Sequence, residues 1–303
     1  MLINIIIKKI SIVLLNLINK KQYEPLGEGY ISKSYRFIIN SKKYVLLQGQ
    51  LSDSFPCYLQ SYNNIKFLFN NGKPYIKSIL YPYKGIKLIN PDINNIFLKN
   101  GALLYEEIKG LILYEKYFNK INKENLSTKL SLFLNELYLI PIKESDIPKS
   151  KNKIIFEFKE DIEIINDFLK GNGVEKINTF KNEFLEYING FNDFHYIHGD
   201  LWEENMIISE DYQDLIGIVD FDNFSIGDTA KDYATLLDLG FDFINILINK
   251  NEKCIKNRDD FVKRIKLYQK KIEIEDLAYI LRDNNLNWRI NSKIENLKEI
   301  GLI

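Results

Sequence analysis

Asp200 and Asn205 stand five residues apart in the stretch His198-Gly199-Asp200-Leu201-Trp202-Glu203-Glu204-Asn205-Met206-Ile207-Ile208, and Asp220 closes the apolar run Ile216-Gly217-Ile218-Val219. A carboxylate and an amide carbonyl are hard oxygen donors. Mg²⁺ takes such donors and keeps waters and substrate phosphates for the rest of its shell. Two short strands, at 206–208 and 215–219, paired as a hairpin would carry Asn205 and Asp220 to the same end. Asp200 then remains to accept a proton from an attacking hydroxyl. A metal clamp, a positioned acceptor and a base are the parts of a phosphoryl transfer. Asp, Asn and Gly are also ordinary turn residues, so neither piece carries this reading alone. Both pieces in order, each against an apolar strand, do. His198 joins Asp200 in the catalytic loop, where its expected part is to support the loop by hydrogen bonding. His195 reads as a helix-end histidine.

The elements that must position these groups are partly legible. Ser34-Tyr35-Arg36-Phe37-Ile38-Ile39 and Lys43-Tyr44-Val45-Leu46-Leu47 flank the turn Asn40-Ser41-Lys42, a β-hairpin pattern. Residues 56–70 read as a helix, and 75–80, 84–89, 95–98 and 102–107 as short strands punctuated by Pro82, Gly85, Pro91 and Gly101. After Gly110 the helical period takes over. Leu126, Leu130, Phe133, Leu134 and Leu137 share one helix face, as do Phe180, Phe184, Ile188 and Phe191. Several helices follow Thr229, the last beginning near Trp288. The outline is α+β, with a β-rich first part and a mostly helical second part.

Composition narrows the function. At 303 residues, with 46% hydrophobic and 27% charged residues, the chain is an ordered globular protein of about two domains. Lys and Arg total 41 and Asp and Glu total 41, so the basic excess usual in a nucleic-acid binder is missing. Two cysteines, Cys57 and Cys254, exclude a disulfide framework or a Cys-rich zinc site. Residues 1–19 are apolar but interrupted by Lys8 and Lys9, too short a run to span a bilayer and without a secretory cleavage pattern. They are expected to form a helix packed on the body, in a cytoplasmic protein without membrane or nucleic-acid partners.

His-Gly-Asp-Leu-Trp-Glu-Glu-Asn-Met-Ile, followed by Val-Asp-Phe-Asp-Asn-Phe-Ser-Ile-Gly-Asp-Thr-Ala-Lys-Asp-Tyr-Ala-Thr-Leu-Leu, resembles the aminoglycoside phosphotransferase and choline kinase superfamily over residues 198–237. The resemblance implies a bilobal protein-kinase-like fold, Mg²⁺ as cofactor, and ATP or GTP as phosphate donor. It implies residues 1–107 as the nucleotide-binding lobe with a leading helix, and 108–303 as the catalytic and substrate-binding lobe. It assigns Asp200 as base and Asn205 and Asp220 as metal ligands. Gly227, Asp228, Asp232 and Ala234 occupy the Gly-Asp-x-x-x-Asp segment that steadies the catalytic loop, with Asp232 a buried acceptor for loop donors. Residues 126–141 are similar to a helix of aminoglycoside 2''-phosphotransferases, with Tyr138 where that helix commonly has His. Residues 103–110 are similar to the hinge that meets the purine, here around Glu106 and Ile108. Gly27-Glu28-Gly29 is similar to the nucleotide-covering turn, where Gly27 and Gly29 would let backbone approach phosphate.

One departure stands out. Superfamily members usually carry a Lys on the strand after that turn, paired with a Glu on the following helix. No Lys stands in Tyr44-Val45-Leu46-Leu47-Gln48, and residues 58–69 contain no Glu or Asp. Gln48 is the expected neutral substitute, with Lys42, Lys43 and Lys66 as other candidates. The acceptor is expected to be a small hydroxylated molecule, cationic in the case of an aminoglycoside, which implies antibiotic resistance; a neutral amino sugar or a choline-like acceptor fits as well. Glu203, Glu204, Asp238 and Asp242 are the candidate carboxylates around it, the latter two on one helical region, with Trp202 and Trp288 as faces for a sugar ring. The alternative is a catalytically weak, nucleotide-binding scaffold, as in spore-coat-associated members of the superfamily.

Overall fold

Asn40 and Ser41 both adopt left-handed backbone, with φ of 51° and 63°, and so close a two-residue turn between β2 (Ser32–Ile39) and β3 (Lys42–Gly49). Two positive φ values match the right-handed twist of the strands they join. This hairpin is the centre of an antiparallel sheet with β1 (Glu24–Glu28), β4 (Lys87–Ile89) and β5 (Ala102–Glu106), in the order β1-β2-β3-β5-β4. The structure is a computed structural model that describes residues 13–28, 32–51, 54–95, 97–171, 173–282 and 284–303.

Alternation along β3 gives the sheet two apolar faces. Tyr44 and Leu46 join Phe37, Ala102 and Leu104 under helix α1 (residues 13–19), which contributes Leu14 and Ile18. Val45 joins Leu103, Tyr105 and Tyr58, the last from helix α2 (Ser54–Phe67), with Leu47 packed at the edge. The expected leading helix is thus present over 13–19, and its earlier residues lie outside the described ones. Strands expected at 75–80 and 95–98 are not formed among the described residues. Ile76, Ile79 and Leu98 are buried there as plugs on irregular backbone, and only Leu80 makes a bridge, to Gly217. A short apolar run buries equally well either way.

The described residues pack as two compact units. One comprises 1–122 and 204–223, the other 123–203 and 224–303. A division after residue 107 follows chain order, whereas these units do not. The first unit continues from β5 into β6 (Leu111–Ile112) and the short helix α3 (Glu115–Phe118). The chain then supplies the second unit with α4 (Lys123–Tyr138), α5 (Ile147–Leu169), α6 (Val174–Gly190) and β7 (His195–Ile197). It returns to the first with β8 (Met206–Ile208) and β9 (Leu215–Ile218), which pair with β6 in the order β6-β8-β9. It ends in the second unit with β10 (Ser225–Gly227), paired to β7, and α7 (Ala230–Ala234), α8 (Phe241–Lys250), α9 (Arg258–Arg282) and α10 (Ile290–Glu299). Trp288 lies in a 3₁₀ turn just before α10.

The second unit is held by aromatic packing. Phe158 of α5 is fully buried with its ring edge-on to Phe184 of α6, centroids 4.7 Å apart. Truncating it leaves a cavity that rigid helices cannot close, so Phe158→Ala is expected to cost about 3–5 kcal/mol in denaturant unfolding. Among the described residues no helix is long and apolar enough to cross a membrane.

Candidate active site

The candidate residues divide between the two units. Gly27, Gln48, Glu106, Ile108, Glu204, Asn205 and Asp220 belong to the first, and His198, Asp200, Glu203, Asp238 and Asp242 to the second. Gly29 lies outside the described residues. Gly27 sits exposed near the end of β1, where an added Cβ would meet nothing within 4 Å.

In the first unit the hairpin read from the sequence is formed. Met206 faces Ile218 and Ile207 faces Gly217 in antiparallel register. Beyond the strands, the Val219 N–H donates to the Asn205 carbonyl at 2.9 Å. Asn205 and Asp220 therefore flank the same end of β8–β9. Asp220 is exposed and left-handed, at φ 64°. An Asp tolerates that conformation better than most residues, but at a cost, so its neighbours must fix it. Phe221 is fully buried beneath it, with Tyr81 edge-on at 6.2 Å. From α2, the Asn64 side-chain amide donates to the Phe221 carbonyl at 2.7 Å and to the Asp222 carbonyl at 3.2 Å, and Gln60 donates to the Asp222 carbonyl at 2.7 Å. Tyr58 and Tyr105 lie in the field of the same carboxylate. Burial pushes both phenols up, and Asp220 pushes in the same direction.

No cluster of three His, Cys, Asp or Glu that could hold a metal occurs among the described residues. One carboxylate and one amide oxygen suit a hard ion that retains water and phosphate oxygens, and this is the fit that Mg²⁺ requires.

The hinge candidates are fixed by charge. Arg36 of β2 grips Glu107 with a two-pronged contact at 2.8 and 2.6 Å and reaches Glu24 at 2.7 Å. The hydrogen bonds that Arg36 donates to these carboxylates raise its pKa. Lys42 pairs with Glu106 at 2.9 Å, and the Glu106 and Glu107 N–H groups donate to the Lys84 and Lys43 carbonyls. Ile108 is buried against Gly217, where a Cβ would meet its Cγ2 at 3.0 Å and the Leu80 carbonyl at 3.1 Å, so the glycine permits the approach.

Gln48 requires a correction of face. It lies opposite Ala102 in register, on the sheet side that carries Tyr44 and Leu46 and packs under α1. The face toward α2 carries Lys43, Val45 and Leu47; Val45 and Leu47 pack there and are apolar, and Lys43 is exposed at the start of the strand. Period-two alternation could have shown this from the sequence. Lys42 is engaged by Glu106, and Lys66 sits 4.9 Å over the Tyr62 ring.

In the second unit, β7 delivers His198 and Gly199, the latter at φ 84°, a conformation glycine takes without strain. The Asp232 carboxylate, on α7, accepts the His198 N–H at 2.9 Å and the Gly199 N–H at 2.7 Å. This is the loop-strapping acceptor the resemblance implied. His198 is fully buried, and Asp200 is half-buried. Asp228, also buried, accepts from Tyr187, Arg264 and the Ala230 N–H, which anchors the start of α7. Lys231 is the residue that sequence reasoning missed, although it adjoins Asp232. Burial works against its ammonium, but Glu275, Asp200, Asp232 and Glu157 outweigh it and raise its pKa. His195 is in a strand, not at a helix end. It stacks on Tyr138 at 3.6 Å, and burial lowers its pKa.

Burial pushes the Asp232 carboxyl up to about 6, against the two backbone donors and Lys231. Between its ordinary 3.8 and about 6, the folded state binds more protons than the unfolded chain at this group. Its contribution to stability therefore falls as pH rises through that window. The strap, however, needs the ionised form. We expect activity to decline below about pH 6 without a matching loss of melting temperature from this group. Asp232→Asn should lower activity at every pH, because its NH₂ would confront one of two N–H donors. A pH–rate profile beside a thermal melt checks both.

The acceptor carboxylates are dispersed. Glu203 and Glu204 lie in one 3₁₀ turn, the first half-buried and the second exposed. Asp238 and Asp242 do not share a helix. Gly240, at φ 93°, separates a 3₁₀ turn carrying Asp238 from α8 carrying Asp242. Asp242 lines a surface cavity of about 330 Å³ with Lys123, Phe241 and Ile246, and Asp238 does not. Trp202 is half-buried, while Trp288 is 79% exposed beside Arg289.

Residues 177–248 match the model of the phosphotransferase enzyme family. That span holds the His-Gly-Asp loop, both metal-ligand candidates and Asp232. Among solved structures, the GDP and kanamycin complex of a type IIIa APH(2'') enzyme is 22% identical, covering 92% of each chain with a TM-score of 0.68. The ADP-bound aminoglycoside phosphotransferase APH(2'')-Ib is 19% identical over 95% of this chain and 97% of its own, with a TM-score of 0.69. A choline/ethanolamine kinase family protein from Mesorhizobium loti is 11% identical over 92% and 87%, with a TM-score of 0.63. No curated protein matches the chain. The superfamily resemblance read from the motifs and the kinase-like fold are both borne out.

Proposed function

We propose that the chain is a Mg²⁺-dependent small-molecule kinase that moves the terminal phosphate of ATP or GTP to a hydroxyl of an aminoglycoside or amino-sugar-like acceptor. The observation that carries the reading is the shared end of β8–β9, which holds Asn205 and Asp220, with Asp200 only five residues before Asn205. The nucleotides and kanamycin bound by the structural neighbours support the substrate class.

In this reading Asn205 and Asp220 hold Mg²⁺, which when bound draws off negative charge from the phosphate oxygens. Asp200 orients the acceptor hydroxyl and takes its proton as the bond to phosphorus forms. Asp232 keeps the two preceding N–H groups, and hence the Asp200 backbone, in place. Glu106 and Ile108 present backbone to the purine, and Gly27 and Gly29 cover the phosphates. Glu203, Glu204, Asp238 and Asp242 offer negative charge to a cationic acceptor. Positioning and charge stabilisation supply most of the acceleration, since the transferred phosphoryl needs little push from a base. A nucleotide thermal shift that requires Mg²⁺, together with phosphate transfer to a hydroxyl acceptor, is the expected result. A shift that is the same with and without Mg²⁺ contradicts the metal assignment.

A further inference from the structure

The side-chain amides of Gln60 and Asn64 do something that the motifs do not assign. Both residues lie on α2 four apart, and so share one helix face. Both donate to main-chain carbonyls of the two residues that follow Asp220, with three hydrogen bonds of 2.7, 2.7 and 3.2 Å. Only the NH₂ end of Asn64 can face two carbonyls at once, so the donor assignment follows from the partners. The contacted turn begins at Asp220, a non-glycine residue that is left-handed. A conformation of that kind persists only where its surroundings over-determine it. On one side it is fixed by the Val219 N–H on the Asn205 carbonyl, and on the other by α2.

We propose that Gln60 and Asn64 are positioning residues for the metal site: they clamp the 221–222 backbone and thereby hold the Asp220 carboxylate beside Asn205. The inference rests on the reading of Asn205 and Asp220 as metal ligands. It explains how α2 is tied to the site although it carries no acid. Neutral amide bonds to carbonyls replace a charged tether, so the link is insensitive to pH and weakly sensitive to salt.

The test uses the full chain and Mg²⁺ with a fluorescent ADP. Asn64→Asp keeps the shape but turns a donor into an acceptor facing two carbonyls. Gln60→Leu, at an exposed position, removes one bond with little risk to folding. The Mg²⁺ concentration for half-maximal nucleotide binding is expected to rise about 10-fold in Asn64→Asp and a few-fold in Gln60→Leu, following the loss of one or two hydrogen bonds. Nucleotide affinity without metal should change less than about 2-fold, and amide exchange at residues 219–222 should quicken even in metal-free protein. An unchanged Mg²⁺ midpoint in both variants, with the unaltered protein binding nucleotide in a Mg²⁺-dependent way, overturns the clamp alone. An equal loss of metal-free affinity also overturns it, because it marks a general structural role. Failure of the unaltered protein to show any Mg²⁺ dependence overturns the metal-site reading and the clamp together.

Discussion

Asp200→Ala is expected to lower turnover by about 10²–10⁴-fold while leaving nucleotide affinity within a few-fold of the unaltered protein. The size follows from the usual contribution of a positioned general base. The split follows from placement. Asp200 stands in the strapped loop of the second unit, whereas Asn205, Asp220 and the sheet proposed to hold the nucleotide belong to the first. Its half-buried side chain leaves the fold intact when truncated, so a melting temperature near the original accompanies the loss. Single-turnover transfer and equilibrium nucleotide binding, measured on the same preparation, separate the two quantities. A variant that reacts at the original rate removes Asp200 from the chemistry. Glu203→Ala, by contrast, should retain transfer and change only affinity for a cationic acceptor.

Asp220→Ala is expected to act on the other half of the account. In the proposed reading it removes the charged member of the ligand pair and leaves Asn205 with an uncharged oxygen. Loss of groups that merely orient metal ligands costs 10–100-fold in affinity, and loss of a ligand itself should cost no less than about 100-fold. Mg²⁺-dependent nucleotide binding should therefore vanish over an ordinary Mg²⁺ range. Stability should change little, because Asp220 is exposed; the left-handed backbone adds about 1 kcal/mol for alanine. Asp220→Asn keeps that backbone tolerance and removes only the charge. It should show the same binding defect with a smaller change in stability. Nucleotide binding that persists unchanged in both variants sinks the ligand assignment.

The strap on the His-Gly-Asp loop was legible in the sequence because both of its parts lie in recognisable short patterns. Gly199 and His198 are 33 and 34 residues from Asp232 at their hydrogen bonds, but the Gly-Asp-x-x-x-Asp pattern marks the strap by itself. The β2–β3 hairpin was legible for the same reason: Asn40 and Ser41 are residues that accept positive φ. The α2 clamp was not, since its bonds join side chains to main-chain carbonyls 157 to 162 residues away, and a carbonyl carries no sequence signature. Gln48 was misplaced by spacing alone. Counting faces along β3 from the buried Tyr44 and Leu46 puts it away from α2. Residues 75–80 and 95–98 misled because burial of Ile76, Ile79 and Leu98 needs no ladder. Gly240, one glycine in an otherwise helical run, was enough to set Asp238 and Asp242 on separate elements.

The most direct measurement is transfer of labelled terminal phosphate from ATP and from GTP to a panel of aminoglycosides, amino sugars and choline, run with and without Mg²⁺ and with Asp200→Ala beside the unaltered protein. The account predicts a phosphorylated acceptor with at least one nucleotide, formed only with the divalent cation and lost in the variant. Tight nucleotide binding with no phosphorylated acceptor anywhere in the panel would contradict it and leave the chain as a nucleotide-binding scaffold.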